Sequence, residues 1–192
     1  FEGETYNAHW WERYHQLQQQ PAEAHDIVLL GNSLTENGAD WSGLGWENVR
    51  NFGIIGDDIQ GINHRLDQVL SGKPQALFLM AGINDVSHNM TAEAVATQLE
   101  TLVTRILHES PATKLYLQSM LPINESFGRY SRLIGKTDII PEINARFKQI
   151  AQQHNISFVN LFPLFSETGS NSLRKELTTD GLHLNEAGYR IW

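Results

Sequence analysis

Cysteine is absent from the 192 residues, which removes disulfides, thiolate metal sites and thiol catalysis together. Positive charge is scarce as well. Fourteen Lys and Arg face 22 Asp and Glu, a formal net charge of −8, and with no basic block such a surface repels nucleic-acid phosphates and anionic lipid. No apolar run approaches the roughly 20 residues of a membrane-spanning helix, so membrane insertion is not expected. No charged segment followed by an apolar one opens the chain, although its first residue is Phe1 rather than methionine, as in a chain from which a leader has been removed. Nucleotide-binding glycine patterns are missing too: Gly72-Lys73-Pro74 is only a turn, with neither G-x-G-x-x-G nor G-x-x-x-x-G-K-[ST] around it. His9, His15, His25, His64, His88, His108 and His154 lack metal-ligand spacing such as H-E-x-x-H, and no metal is expected.

What remains, 41% hydrophobic and 19% charged residues, is ordinary for a globular protein, and the length suits one domain over residues 1–192. Short β-rich apolar runs recur at Asp26–Gly31, Asn48–Gly53, Ala76–Gly82, Lys114–Ser119 and Ile156–Asn160. Between them lie stripes at helical spacing: Ile59, Ile62, Leu66, Val69 and Leu70; Val95, Leu99, Leu102, Val103, Ile106 and Leu107; and Ile143, Phe147 and Ile150 after Pro141. A further helix is predicted over about Asn7 to Gln20. Strands alternating with helices predict an α/β fold in which a mostly parallel sheet is covered on both faces, a three-layer α/β/α sandwich. Ligands of such sheets bind beyond the carboxyl ends of the strands, so the segments after each strand carry the functional reading.

After the first strand comes Gly31-Asn-Ser33-Leu-Thr-Glu36, where Ser33 either caps a helix in a capping box with Glu36 or presents a nucleophilic hydroxyl at a strand-to-helix turn. After the second, Gly56 in Gly53-Ile-Ile-Gly56-Asp-Asp serves a turn, or offers a backbone N–H that a substrate oxygen can approach. After the third, Asn84 forms a local turn or cap, or supplies a neutral amide that stabilises an oxyanion without protonating it. Near the end, Asp180-Gly-Leu-His183 is a turn before a helix capped by Asn185, or a carboxylate holding one imidazole nitrogen so that the other is free to take a proton. Taken together these segments lie along one edge of one sheet. They supply a nucleophile, oxyanion donors, a base and its orienting acid, a set that unrelated caps and turns would not assemble.

At these residues the chain resembles the SGNH, or GDSL-like, hydrolase superfamily. The blocks are Leu30-Gly-Asn-Ser33-Leu, Asn51-Phe-Gly-Ile-Ile-Gly56-Asp, Gly82-Ile-Asn84-Asp85 and Asp180-Gly-Leu-His183-Leu-Asn. The second is similar to the platelet-activating-factor acetylhydrolase-like and sialate O-acetylesterase-like branch. The resemblance implies a flavodoxin-like parallel five-stranded sheet and no organic cofactor. It implies a serine esterase with the triad Ser33, His183 and Asp180 and an oxyanion hole from the Ser33 and Gly56 N–H groups and the Asn84 amide. The substrate implied is a small-molecule or carbohydrate ester, short acyl groups being favoured over the lysophospholipase or thioesterase alternative. A non-catalytic binding module on the same fold is the reading of another class. Asn32 stands where the family has aspartate, and altered hydrogen bonding is expected there. An α/β-hydrolase is disfavoured, since the Ser33 stretch lacks the G-x-S-x-G elbow. Trp41 and Trp46 either pack or line a sugar or acyl pocket, and Arg129, with Arg132 and Lys136, belongs to a long loop leaving the active edge, where it would meet an acidic substrate. Likeness to carbohydrate O-acetylesterases points to an extracytoplasmic, periplasmic or secreted, bacterial protein.

Overall fold

The computed structural model describes residues 6–192. Helix α1 (Ala8–Gln19), capped by the Asn7 side chain on the Trp10 N–H, leads into β1 (Ile27–Gly31), the single turn α2 (Ser33–Glu36) and β2 (Val49–Gly53). Short helices α3 (Ile59–His64) and α4 (Asp67–Leu70) precede β3 (Ala76–Leu79), and α5 (Ile83–Ser87) and α6 (Ala92–Glu109) precede β4 (Lys114–Gln118). A long irregular segment then reaches α7 (Ile139–Gln153), β5 (Ser157–Val159), α8 (Phe162–Phe165) and the final helix α9 (Glu186–Ile191), which Asn185 caps through the Gly188 N–H.

The five strands are parallel in the order β2-β1-β3-β4-β5. Right-handed crossovers that all run one way from β2 to β5 place α3–α4, α6 and α7 on one face, and the reversed step from β1 to β2 puts its connection on the other. Burial follows that division. Val28, Leu30, Leu77, Leu79, Leu115 and Leu117 share one core with Val95, Leu99, Ile143 and Phe147, while Leu34, Met80, Leu161, Phe165 and Leu184 form a second beneath α2, α8 and α9. Each large apolar side chain so buried contributes about 1.5–3 kcal/mol against exposure.

The single stripe expected from Ile59 to Leu70 is broken into two helices at Arg65 (φ −110°, ψ 13°). All five stripe residues are still buried, but Arg65 turns out of the helix to reach the strand ends. At the free edge of the sheet, Arg13 in α1 donates to the β2 carbonyls of Asn51 (2.8 Å) and Gly53 (3.1 Å).

Candidate active site

Strand order reverses between neighbours β1 and β3, and in a doubly wound sheet that junction is where ligands bind. Ser33 follows β1 and Asn84 follows β3, so both emerge there. The local backbone is set by close packing: a Cβ at Gly53 would stand 2.2 Å from the Glu36 nitrogen, so only glycine lets α2 lie across the end of β2. Asn51 fastens that turn, its amide donating to the carbonyls of Thr35, Glu36 and Ala39.

Ser33 is not the cap of α2. Asn32 is, accepting from the Leu34 N–H at 3.0 Å, and Glu36 does not close a capping box but accepts from the Ile55 N–H at 2.9 Å. The position that departs from the family's aspartate therefore has a local hydrogen-bonding job, and the Ser33 hydroxyl is left for another partner. That partner is His183, whose Nε2 lies 2.9 Å from Ser33 Oγ. Its Nδ1 lies 2.8 Å from Asp180 Oδ2, and Asp180 Oδ1 accepts the N–H groups of Leu182 (2.9 Å) and His183 (2.7 Å). Burial pushes the Asp180 carboxyl up, but the donors on it, His183 first and then Tyr130 and Leu182, outweigh that and hold it at about 2. Near neutral pH it is a carboxylate facing the imidazole.

On the opposite side, Gly56 is exposed at φ +83° with open space around its Cα. Asn84 does not cap α5, whose cap is Gly82; its amide donates to the Asp57 carbonyl at 2.7 Å, which uses one of its two N–H bonds and fixes the plane of the other. Asp57 is itself pinned. Arg65, with a fully buried side chain, donates from Nε to Asp57 Oδ2 (2.7 Å), from Nη1 to the Phe52 carbonyl (2.7 Å) and from Nη2 to the Gly31 carbonyl (2.9 Å). One guanidinium thus ties the ends of β1 and β2 to the 54–58 turn and, through Asp57, to Asn84. Burial raises the Asp57 carboxyl, with Arg65 opposing.

Asp85 is buried beside this turn, accepting from the Ile59 N–H at 3.2 Å. Burial, with the Asp58 charge adding to it, pushes it up to about 7. A carboxyl whose folded value lies above its unfolded one binds protons more tightly when folded, so stability falls as pH rises from about 4 to about 7. The cost above pH 7 is about 4 kcal/mol for a shift of this size. Asn keeps an oxygen for Ile59 without the charge. Asp85→Asn is therefore expected to raise the melting temperature at pH 8 and to change it little at pH 4, as calorimetry would show; equal shifts at both pH values would mean that Asp85 is not protonated on folding.

The tryptophans are placed away from these groups. Trp41 is 7% exposed, donates from Nε1 to the Thr35 carbonyl and packs edge-on against Tyr189 and Trp192, beside the second core; with them it lines a surface pocket to which neither Ser33 nor His183 contributes. Trp46 is exposed but leans over Phe78, which stacks on Tyr116; it lies on a sheet face, not at the edge where the strands end. Arg129 is exposed, its guanidinium 5.9 Å from the ring of Tyr130. Tyr130, in the long segment after β4, is a residue that no sequence pattern singled out: its Oη donates to Asp180 Oδ2 at 2.7 Å.

The sequence model of the GDSL-like lipase/acylhydrolase family matches residues 29–191. An N-acylneuraminate cytidylyltransferase of Escherichia coli is 27% identical over 171 residues, covering 86% of this chain; the chain spans only 38% of that protein's length. A Streptococcus pneumoniae protein provisionally described as a platelet activating factor superposes with a TM-score of 0.83 at 27% identity, over 95% of this chain and 86% of the other. A variant of an acetyl-xylooligosaccharide esterase from a Geobacillus superposes with a TM-score of 0.67 at 22% identity, over 88% and 91% of the two chains.

Proposed function

Because the chain belongs to the GDSL-like lipase/acylhydrolase family, and is on that ground a hydrolytic enzyme, we propose that it removes short acyl groups, acetyl above all, from carbohydrate esters through an acyl-enzyme on Ser33. The observation that carries this is the unbroken line from Ser33 Oγ to His183 Nε2 (2.9 Å) and from His183 Nδ1 to Asp180 Oδ2 (2.8 Å). In this reading His183 takes the Ser33 proton as Oγ attacks the ester carbonyl, and Asp180 holds the imidazolium that forms. The N–H groups of Ser33 and Gly56 and the remaining N–H of Asn84 receive the oxyanion. His183 then protonates the departing sugar oxygen, and water, deprotonated by the same imidazole, releases the acid. The sugar acceptor is supported by the solved acetyl-xylooligosaccharide esterase and by the curated relative named for N-acylneuraminate.

A longer acyl group is the competing reading, and one observation favours it: Ile55, Phe127 and Ile134, on the loops that carry Gly56 and Tyr130, are exposed apolar side chains. Rates on 4-nitrophenyl acetate, butyrate and octanoate separate the two. Turnover that depends on Ser33 and falls steeply after acetate supports the short-chain esterase; a preference for octanoate transfers the function to lipids. In the same assay Asn84→Ala is expected to lose about 10²–10³ in kcat, and near-native turnover would remove Asn84 from the oxyanion hole.

A further inference from the structure

Asp180 receives four hydrogen bonds. Three come from its own loop: the Leu182 and His183 N–H groups on Oδ1 and the His183 Nδ1–H on Oδ2. The fourth comes from 50 residues upstream, where Tyr130 Oη donates to Oδ2 at 2.7 Å. That phenol oxygen also stands 3.1 Å from His183 Nδ1, and the two rings meet edge to face with centroids 5.9 Å apart. Nδ1–H is therefore flanked by a carboxylate oxygen and a phenol oxygen.

The segment that delivers Tyr130 is fastened to the loop it serves. The Asn124 N–H donates to the Gly181 carbonyl at 2.8 Å, and the Asn124 amide donates to the Leu173 carbonyl at 2.8 Å. Glu125 accepts the Gly135 N–H at 2.6 Å and two donors of Thr137. Gly181, at φ +92°, approaches so closely that a Cβ would stand 2.4 Å from the Asn124 carbonyl oxygen. The two loops interlock, and the place of the phenol is set together with that of the acid.

We propose that Tyr130 is a positioning residue of the triad: its hydroxyl fixes where Asp180 Oδ2 sits against the imidazole and spreads the carboxylate charge. The proposal rests on the serine-hydrolase reading above. The other charged groups facing Tyr130 and Asp180 are Arg129, against the phenol ring, and Glu125, which lines the same small cavity but whose oxygens are engaged by Gly135 and Thr137. Without the hydroxyl, Asp180 has one donor fewer and more of its charge acts on the imidazolium. The acidic limb of kcat/KM then moves upward.

The test compares wild type, Tyr130→Phe, Asp180→Asn and the double variant on 4-nitrophenyl acetate across the pH range, with Ser33→Ala alongside. Tyr130→Phe keeps the ring and is expected to lower kcat about 10- to 100-fold, the effect of losing one hydrogen bond to a charged group, with KM little changed and the acidic limb displaced upward. In the Asp180→Asn background the same change is expected to cost less than about threefold, because the hydroxyl acts through the carboxylate. Equal losses in both backgrounds with an unmoved limb would mean that the hydroxyl is only structural and would overturn the proposal, as would wild-type behaviour of Tyr130→Phe. Should that variant fold incompletely, the midpoint of the limb still reads the folded fraction, with circular dichroism over the same pH range confirming that the fraction is constant. Full turnover by Ser33→Ala would instead overturn the serine-hydrolase reading itself; with Ser33→Ala inactive, the outcomes bear on Tyr130 alone.

Discussion

Ser33→Ala is expected to lower kcat on 4-nitrophenyl acetate by about 10⁶, and adding His183→Ala to it is expected to cost almost nothing more. The reason is that in the proposed triad the hydroxyl and the imidazole, 2.9 Å apart, would act as one unit: without the oxygen there is no proton for the imidazole to take, and without the imidazole the oxygen stays a poor nucleophile. Asp180→Asn should be milder, about 10⁴, since it leaves a group against Nδ1 but inverts the hydrogen bond that sets the tautomer. Initial rates of the single and double variants, each checked by circular dichroism, decide the matter. Losses for Ser33→Ala and His183→Ala that multiply would show two independent contributions and no triad.

The largest effect on stability is expected at Arg65. Its guanidinium is out of contact with water and spends its donors on Asp57 and on the carbonyls of Phe52 and Gly31. Arg65→Ala leaves a buried carboxylate without its counter-charge and takes one donor from each of two carbonyls, that of Gly31 keeping the Ile54 N–H, a loss of about 3–5 kcal/mol, a large fraction of the roughly 5–15 kcal/mol that holds a domain together. Urea denaturation measures it. Replacing Asp57 together with Arg65 by apolar residues should recover part of the loss, because the stranded charge disappears with its partner. A single-variant loss below about 1 kcal/mol would mean that the ion pair is offset by its own desolvation and that packing alone joins the strand ends.

Strands and their order of appearance were legible because inner strands of a parallel sheet, buried on both faces, read as apolar runs, and the first three runs stop at glycine. The segments carrying Ser33, Gly56 and Asn84 were legible for a related reason: each directly follows a strand, so topology brings them to one side whatever the details of packing, whereas the Asp180–His183 loop comes about 20 residues after β5 and was legible from its own Asp-x-x-His spacing. What was not legible depends on contacts between distant parts of the chain. Asn32 and Ser33 are equally good caps, and the end of β1 decides between them by one residue. Arg65 lies in an amphipathic stripe, where a cation ordinarily marks the wet face; only the fold reveals three acceptors within its reach. Tyr130 sits in an irregular segment with no period to read. Trp41 is buried at φ +54°, a backbone conformation rare for a bulky residue, which composition does not announce.

An open parallel sheet has two rims, and each is a template on which another chain can lay a strand. At β5 the template is only three residues long. At β2 the edge carbonyls of Asn51 and Gly53 are already taken by the Arg13 guanidinium, a charge that an incoming backbone would have to displace and leave without its acceptors. The first helix thus does more than cover the sheet: on the rim beside the candidate active site it occupies acceptors that edge-to-edge pairing with another chain would need.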